Sequence, residues 1–463
     1  MNANQERIKH LYNRAGFGMR IEDWQSLKNQ SWKWVLKQIL KDAEQNETLT
    51  VGELKAPSPV ERKMMNKEER RELAKTNRIF IKDLNIAWYK RMMFTEAQLR
   101  EKMTLFWHDH FACRLLFYGF AEKQNNTFRN YGLGKFGDLL EAVAKDPGML
   151  QFLNGQQNKK AHPNENFARE LLELFTLGRG HYTERDIQEA ARAFTGWGFD
   201  FNRQFVFRRR QHDTGLKTFL GRTGNFDGDD ILRIILEEKQ TARFLTYKLY
   251  RYFVNDKVNE TVANQWAEKL YESDYDIGQL LITMFSSEHF YAKENVGTKI
   301  KSPTEFLVGL MRQTNMDFKT ADGIIFLQKV LGQMLFQPPG VAGWPAGRDW
   351  IDSSTLIVRL RIPQVLFNAE DLGVEVKGEF AGNEDLLRLK KKNKALEMLI
   401  DWEPLTREME RQNDAFGWLQ AFLLAGNPYR LKEVTPFIRG SEKQDQFKQL
   451  TLRLLSTPEY QMC

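Results

Sequence analysis

Helical periodicity sets the bounds on this fold. Apolar residues recur every three or four positions along most of the chain, and several such runs carry their own start and stop signals. Thr183 followed by Asp186 reads as a capping box, and Ile187, Ala190, Ala191 and Phe194 behind it form one apolar stripe. Asn164 opens the run ENFARELLELFTL, and Gly178 stands where a helix favours a left-handed stop. Thr95 with Gln98 reads as a second capping box, ahead of a run from Leu99 to Phe117. The same period returns at 240–254, 261–272, 277–286 and 303–313. Strand alternation is scarce: Gln204 to Phe207, ahead of Arg208, predicts a small hairpin in a long insertion. The predicted class is therefore mainly α, an irregular multi-helix globular protein with a small β-hairpin insertion.

Two polar stretches, 44–76 with Pro57 and Pro59 and 368–396 with Lys390, Lys391 and Lys392, read as surface linkers. They predict a main helical domain over 1–367 and a C-terminal helical tail, 368–463, packing on it. With 463 residues and 42% hydrophobic content the chain can bury a sizeable core, which excludes global disorder. Two cysteines, Cys113 and Cys463, build neither a disulfide framework nor a four-thiolate zinc site, and Cys113 sits in an apolar run as a core thiol would. No stretch approaches the roughly 20 apolar residues of a membrane span, and the opening residues lack the apolar core of a signal peptide. A cytoplasmic, reduced location is the expectation, with export by a partner left open. The formal charge of +7 is spread along the chain, so the triplets at 208–210 and 390–392 read as solvated faces and a nucleic-acid partner is disfavoured.

Histidine placement points to chemistry. Five of the seven histidines, His108, His110, His162, His181 and His212, fall between positions 108 and 212. Imidazole suits both acid–base work near neutral pH and metal ligation. In FWHDHF the two rings share a face only in a strand; in a helix they stand about 200° apart. The surrounding pattern is helical, with His110 in the stripe of Leu99, Met103, Phe106 and Cys113 and His108 nearly opposite. His110 is then either a buried, hydrogen-bonded ring or a ligand. On the next helix Glu165, Arg169, Glu170 and Glu173 share one arc, and their four-residue spacings make salt-linked pairs. That arc is either a solvated face or, if covered by His108 and a later loop, a pocket of carboxylates and imidazoles suited to a divalent metal or an acid–base pair. His212 and Asp213, with Lys217 near, form a loop composition that serves either a ligand or a turn. The segment 336–350, with Trp344 and Trp350 among Gly and Pro, reads equally as a pocket wall or as a lid over the core. Phosphate loops, dinucleotide fingerprints, nucleophile elbows and HExxH zinc helices are all missing from the sequence.

The ordered segments HLYNRAGFG, FWHDHF, PNENFARELLELFTLGRGHYTERDIQEAARAFTGW, HDTGLKTFLG, TARFLTYKLYRYFV, KSPTEF and QPPGVAGWPAGRDW resemble a bacterial family of unknown function, domain of unknown function 1800. The resemblance implies a mainly helical protein. It also implies a neighbouring partner similar to the alkaline-phosphatase and sulfatase group, and, for many members, export. It carries no activity, but its motifs include His108, His110, Glu165, Arg169, Glu170, Glu173, His212 and Asp213. The expected function is a metal-dependent hydrolase or oxidoreductase, with His108, His110, Glu170 and His212 as metal ligands and Glu165, Arg169, Glu173 and Asp213 as catalytic groups. The alternative is a non-catalytic scaffold for the phosphatase- or sulfatase-like partner.

Overall fold

A computed structural model describes residues 1–54, 57, 59–368, 396–426 and 442–463. The mainly helical class is observed. Among the described residues strands form only three two-stranded antiparallel sheets. The predicted hairpin is one of them, Trp197–Phe199 against Phe205–Phe207. A second pairs Lys217–Phe219 with Arg222–Gly224, and a third pairs Met316–Phe318 with Met398–Ile400. The lysine run 390–392 lies outside the described residues.

At the centre stands the helix Gln98–His110, packed by the helices Ala3–Ala15, Trp32–Asp42, Lys67–Phe94 and Tyr118–Tyr131. It is buried nearly all round, including Glu101, Lys102 and both histidines. A helix so enclosed has no solvent face, and its polar groups must find partners inside the protein. Its beginning and end differ from the sequence expectation. Thr95 closes the preceding helix, and its hydroxyl accepts from the Ala97 N–H. Gln98 does not complete a capping box; its side chain reaches across to accept from the Phe17 N–H. The helix stops at His110 rather than running to Phe117, because the chain turns there to bury Phe111, Cys113 and Leu115 while Leu116 faces solvent.

Local signals elsewhere hold. Thr183 and Asp186 form the capping box, and Ile187, Ala190, Ala191 and Phe194 are buried. Gly178 adopts φ +81°, and its N–H donates to the Leu172 carbonyl. Between Asn164 and Gly178, however, the helix Asn166–Glu170 widens into a π-helical turn, Leu171–Thr176. The wider turn leaves backbone carbonyls for side chains from other segments to satisfy. The charged end of the 44–76 stretch is already helical, from Pro59–Met64 into the long helix Lys67–Phe94. C-terminal helices Glu403–Glu410 and Ala415–Leu423 lie against the N-terminal region through a Trp24–Trp418 contact and a Lys28–Glu408 ion pair. No described helix is long and apolar enough to cross a membrane.

Candidate functional site

The two histidines of FWHDHF do face opposite ways. The His108 ring lies among Trp88, Phe336 and Trp344, and its Nε2 accepts from the Phe336 N–H at 3.0 Å. Burial holds its imidazole down to about 3, so it stays neutral. On the other side His110 donates from Nε2 to the Phe175 carbonyl, 3.1 Å away, at the π-helical turn. Its Nδ1 then faces Lys248 Nζ at 3.3 Å, and Lys248 also donates to the Leu174 carbonyl at 3.0 Å. Both side chains thus satisfy carbonyls that the π turn leaves over.

Between the two histidines lies a residue that the sequence reading passed over. Asp109 accepts from the Trp344 N–H at 2.8 Å, which pins the Gly/Pro segment 336–350 against the end of the central helix. Gly343 makes this possible: it sits at φ +85°, and a Cβ there would collide with the Asp109 carboxylate. Trp344 and Trp350 are both buried, so the segment seals the core as a lid would. Burial raises the Asp109 carboxyl to about 6, against the pull of the Trp344 N–H and the Lys248 charge. It lowers the Lys248 amine to about 8, against the pull of Asp109. Two signals could have exposed the pair. Asp109 is the one acid in an otherwise aromatic and imidazole run, and Lys248 interrupts the apolar side of TARFLTYKLYRYFV three residues after Leu245.

The remaining predicted residues lie elsewhere and hold one another. Arg169 makes a two-pronged bond to Glu184, 2.9 and 2.8 Å, and a third bond to Glu165 at 3.0 Å. Glu173 pairs with Arg179 at 2.6 Å and accepts from the Tyr182 hydroxyl. Partial burial and the nearby Glu173 raise the Glu170 carboxyl above its ordinary range. Asp213 is bound by Arg192 at 2.8 Å and accepts from the Gly215 N–H, while His212 donates from Nδ1 to the Thr195 carbonyl at 3.0 Å. Glu165, Arg169 and Glu173 of the charged arc are therefore salt-linked, and His212–Asp213 organise the turn after the hairpin. His108, His110, Glu170 and His212 do not assemble. Among the described residues no group of three or more His, Cys, Asp and Glu side chains is placed to hold a metal ion.

Another face carries a groove. This groove, of about 1090 Å³, runs between the start of the long helix, the 114–117 loop with the first turn of the helix Tyr118–Tyr131, the helix Pro147–Phe152 and the hairpin turn. Its apolar wall includes Leu73, Leu115, Leu116, Phe152 and Phe201, with Leu116 and Phe201 exposed by 76% and 67%. Among the described residues its charged lining is Lys63, Arg70, Arg114, Arg203 and Asp200. A shallower groove continues along the same helix through Met65, Arg70 and Ala74 and adds Lys67, Arg71 and Arg78.

A family model described as "Protein of unknown function (DUF1800)" matches residues 10–462. No curated protein and no solved structure matches the chain.

Proposed function

We propose a docking role for this chain, which belongs to the DUF1800 family of proteins of unknown function: its basic, apolar groove binds an acidic amphipathic segment of a partner protein. The observation that carries this reading is the continuous lining, among the described residues, of seven cationic side chains and one acidic one around aliphatic and aromatic walls. Complementary charge steers encounter and sets register, while the apolar walls take the partner's hydrophobic anchors. Single-stranded nucleic acid suits the lining less well. Bases need open ring faces, and here the Arg203 guanidinium covers Phe117 at 3.4 Å from the ring centre while Phe120 meets Phe117 and Phe199 edge-on. The partner class implied by the family resemblance, a protein similar to the alkaline-phosphatase and sulfatase group, is the first to assay.

A fluorescent peptide alternating Leu and Phe with Glu tests the groove directly. It should bind the full chain, more weakly as salt rises. The charge reversals Arg70→Glu and Arg114→Glu, both on exposed residues, should weaken binding by about tenfold or more. Equal binding of a Lys-bearing version of the peptide, or tighter binding of an oligothymidine, would remove this reading.

A catalytic reading rests on a different observation, the Asp109–Lys248–His110 group beneath the lid. A carboxyl raised to about 6 and an amine lowered to about 8 can exchange a proton near neutral pH. The metal-dependent hydrolase or oxidoreductase version would need His108, His110, Glu170 and His212 to converge, and as placed these residues do not fit a metal ion. Acetylation of the folded protein at graded pH, read residue by residue by mass spectrometry, checks the acid–base version. Lys248 should titrate near 8 and shift downward in Asp109→Asn; an ordinary lysine profile would end that version.

A further inference from the structure

The helix Trp32–Asp42 presents a face that neither the groove nor the lid uses. Its apolar side is turned inward: Val35, Leu36 and Ile39 are buried, and the helix packs on Ala3–Ala15, Gln98–His110 and Ile277–Ser286. The other side holds Lys33, Trp34, Lys37 and Lys41, all exposed. At 3.6 residues per turn these four fall within an arc of about 100°, and the lysines make a row about 12 Å long. The helix has one acid, Asp42, which lies outside that arc and accepts from Gln38 at 2.7 Å. Glu288 lies close enough to feel the Lys33 charge, but it is paired with Arg7. Among the described residues the three lysines form no ion pair of their own.

Trp34 is the unexpected member of this face. It is 45% exposed, and a helix that already buries its apolar side needs no indole on the other for folding. The helix is also held at both ends. The Ser31 hydroxyl caps its start, accepting from the Trp34 N–H at 3.2 Å, and Arg100 Nε donates to the Ala43 carbonyl at 2.6 Å just past its last turn. The lysine row and the indole are therefore presented in a fixed orientation. Beside them the helix Ile277–Ser286 carries no charged residue and exposes Gln279, Ile282 and Ser286, so it sets no negative charge against the row.

We propose that this face docks the protein on an anionic lipid surface, with the lysine row at the headgroup phosphates and the Trp34 indole in the interfacial layer. Charge complementarity and side-chain type make the choice of occupant. Each lysine held near an anionic membrane strengthens partitioning about fivefold, so three together give about a hundredfold. Indoles concentrate at the boundary between headgroups and hydrocarbon, where one side of the ring is apolar and the N–H stays wet. A protein partner fits this face less well. Protein interfaces are depleted in lysine and seat their aromatic anchors in pockets, and neither groove reaches these four residues. The contact is peripheral, made by one side of one packed helix.

Sedimentation of the full chain with lipid vesicles tests this. The protein should pellet with phosphatidylcholine vesicles that contain phosphatidylglycerol, far less with phosphatidylcholine alone, and progressively less as sodium chloride rises. The triple variant Lys33→Glu, Lys37→Glu, Lys41→Glu should lose binding by about a hundredfold or more. Brominated lipid in the vesicles should quench part of the wild-type indole emission and less of it in Trp34→Phe, which reads insertion of that one ring. The comparison of lipids with the wild type stands even if the triple variant fails to fold. Equal pelleting with neutral vesicles, none with anionic ones, undiminished binding by the triple variant, or equal quenching in Trp34→Phe would each overturn the proposal. Loss of binding on Arg70→Glu alone would do the same, since it would move the contact to the groove.

Discussion

Arg129→Leu is expected to cost about 3–5 kcal/mol of folding stability, the penalty for leaving one member of a buried ion pair alone. Arg129 is 1% exposed and meets Glu101 twice, Nε to Oε1 at 2.7 Å and Nη2 to Oε2 at 2.9 Å. Its Nη1 donates to Asn126 Oδ1 at 2.7 Å. Glu101 also accepts from the Trp88 indole at 2.8 Å, so one carboxylate ties the central helix to the two helices flanking it. Leucine in place of Arg129 leaves that carboxylate buried with only the indole as a donor. Glu101→Leu added to Arg129→Leu should recover part of the loss, because two apolar groups leave no orphan charge. Urea unfolding of the wild type, both single variants and the double variant measures the coupling. A loss below about 1 kcal/mol for Arg129→Leu would mean that water or another group already shares the Glu101 charge.

The same geometry explains which parts of the molecule could be read from the sequence. Capping is local, three residues apart, so Thr183 with Asp186 and the glycine stop at Gly178 were legible, as was the hairpin around Phe205–Phe207. The opposed directions of His108 and His110 followed from helical pitch alone. Thr95 with Gln98 has the same local form as a true capping box. What decides against it is Phe17, eighty-one positions from Gln98, whose N–H takes the glutamine oxygen. Asp109 and Trp344 are 235 positions apart, and the π-helical turn that occupies His110 and Lys248 breaks the period on which sequence patterns depend. The acidic arc is ambiguous in a different way. Glu165, Arg169 and Glu173 have the spacing of a surface salt ladder and the residue types of a catalytic cluster. Only the positions of Glu184 and Arg179, contributed by later segments, show their charges to be matched by neighbours.

Acid should destabilise this protein well before its ordinary carboxylates titrate. Burial holds His10, His108 and His110 below the usual imidazole range, His108 down to about 3. The unfolded chain takes up these protons near pH 6.5 and the folded chain does not. Stability is therefore fully present above that value and falls with acidification, by about 1.4 kcal/mol per pH unit for each histidine. Asp109 and Asp146 act in the opposite sense. Both carboxyls are raised to about 6 by burial, so between about pH 6 and 4 the folded state binds protons that the unfolded state still lacks. Three histidines against two aspartates leave a net loss of about 3 kcal/mol between pH 8 and pH 5. Below about pH 4.3, protonation of Glu305, held low by Lys102 and Lys299 despite its burial, adds a further loss. Denaturant unfolding across this range supplies the curve, and Asp109→Asn isolates one arm of it. The variant lacks a carboxyl that binds a proton on acidification, so its stability should fall more steeply from pH 6 to 5 than the wild type's. An identical slope would show that Asp109 stays ionised beneath the lid. That result would also remove the basis for proton exchange with Lys248.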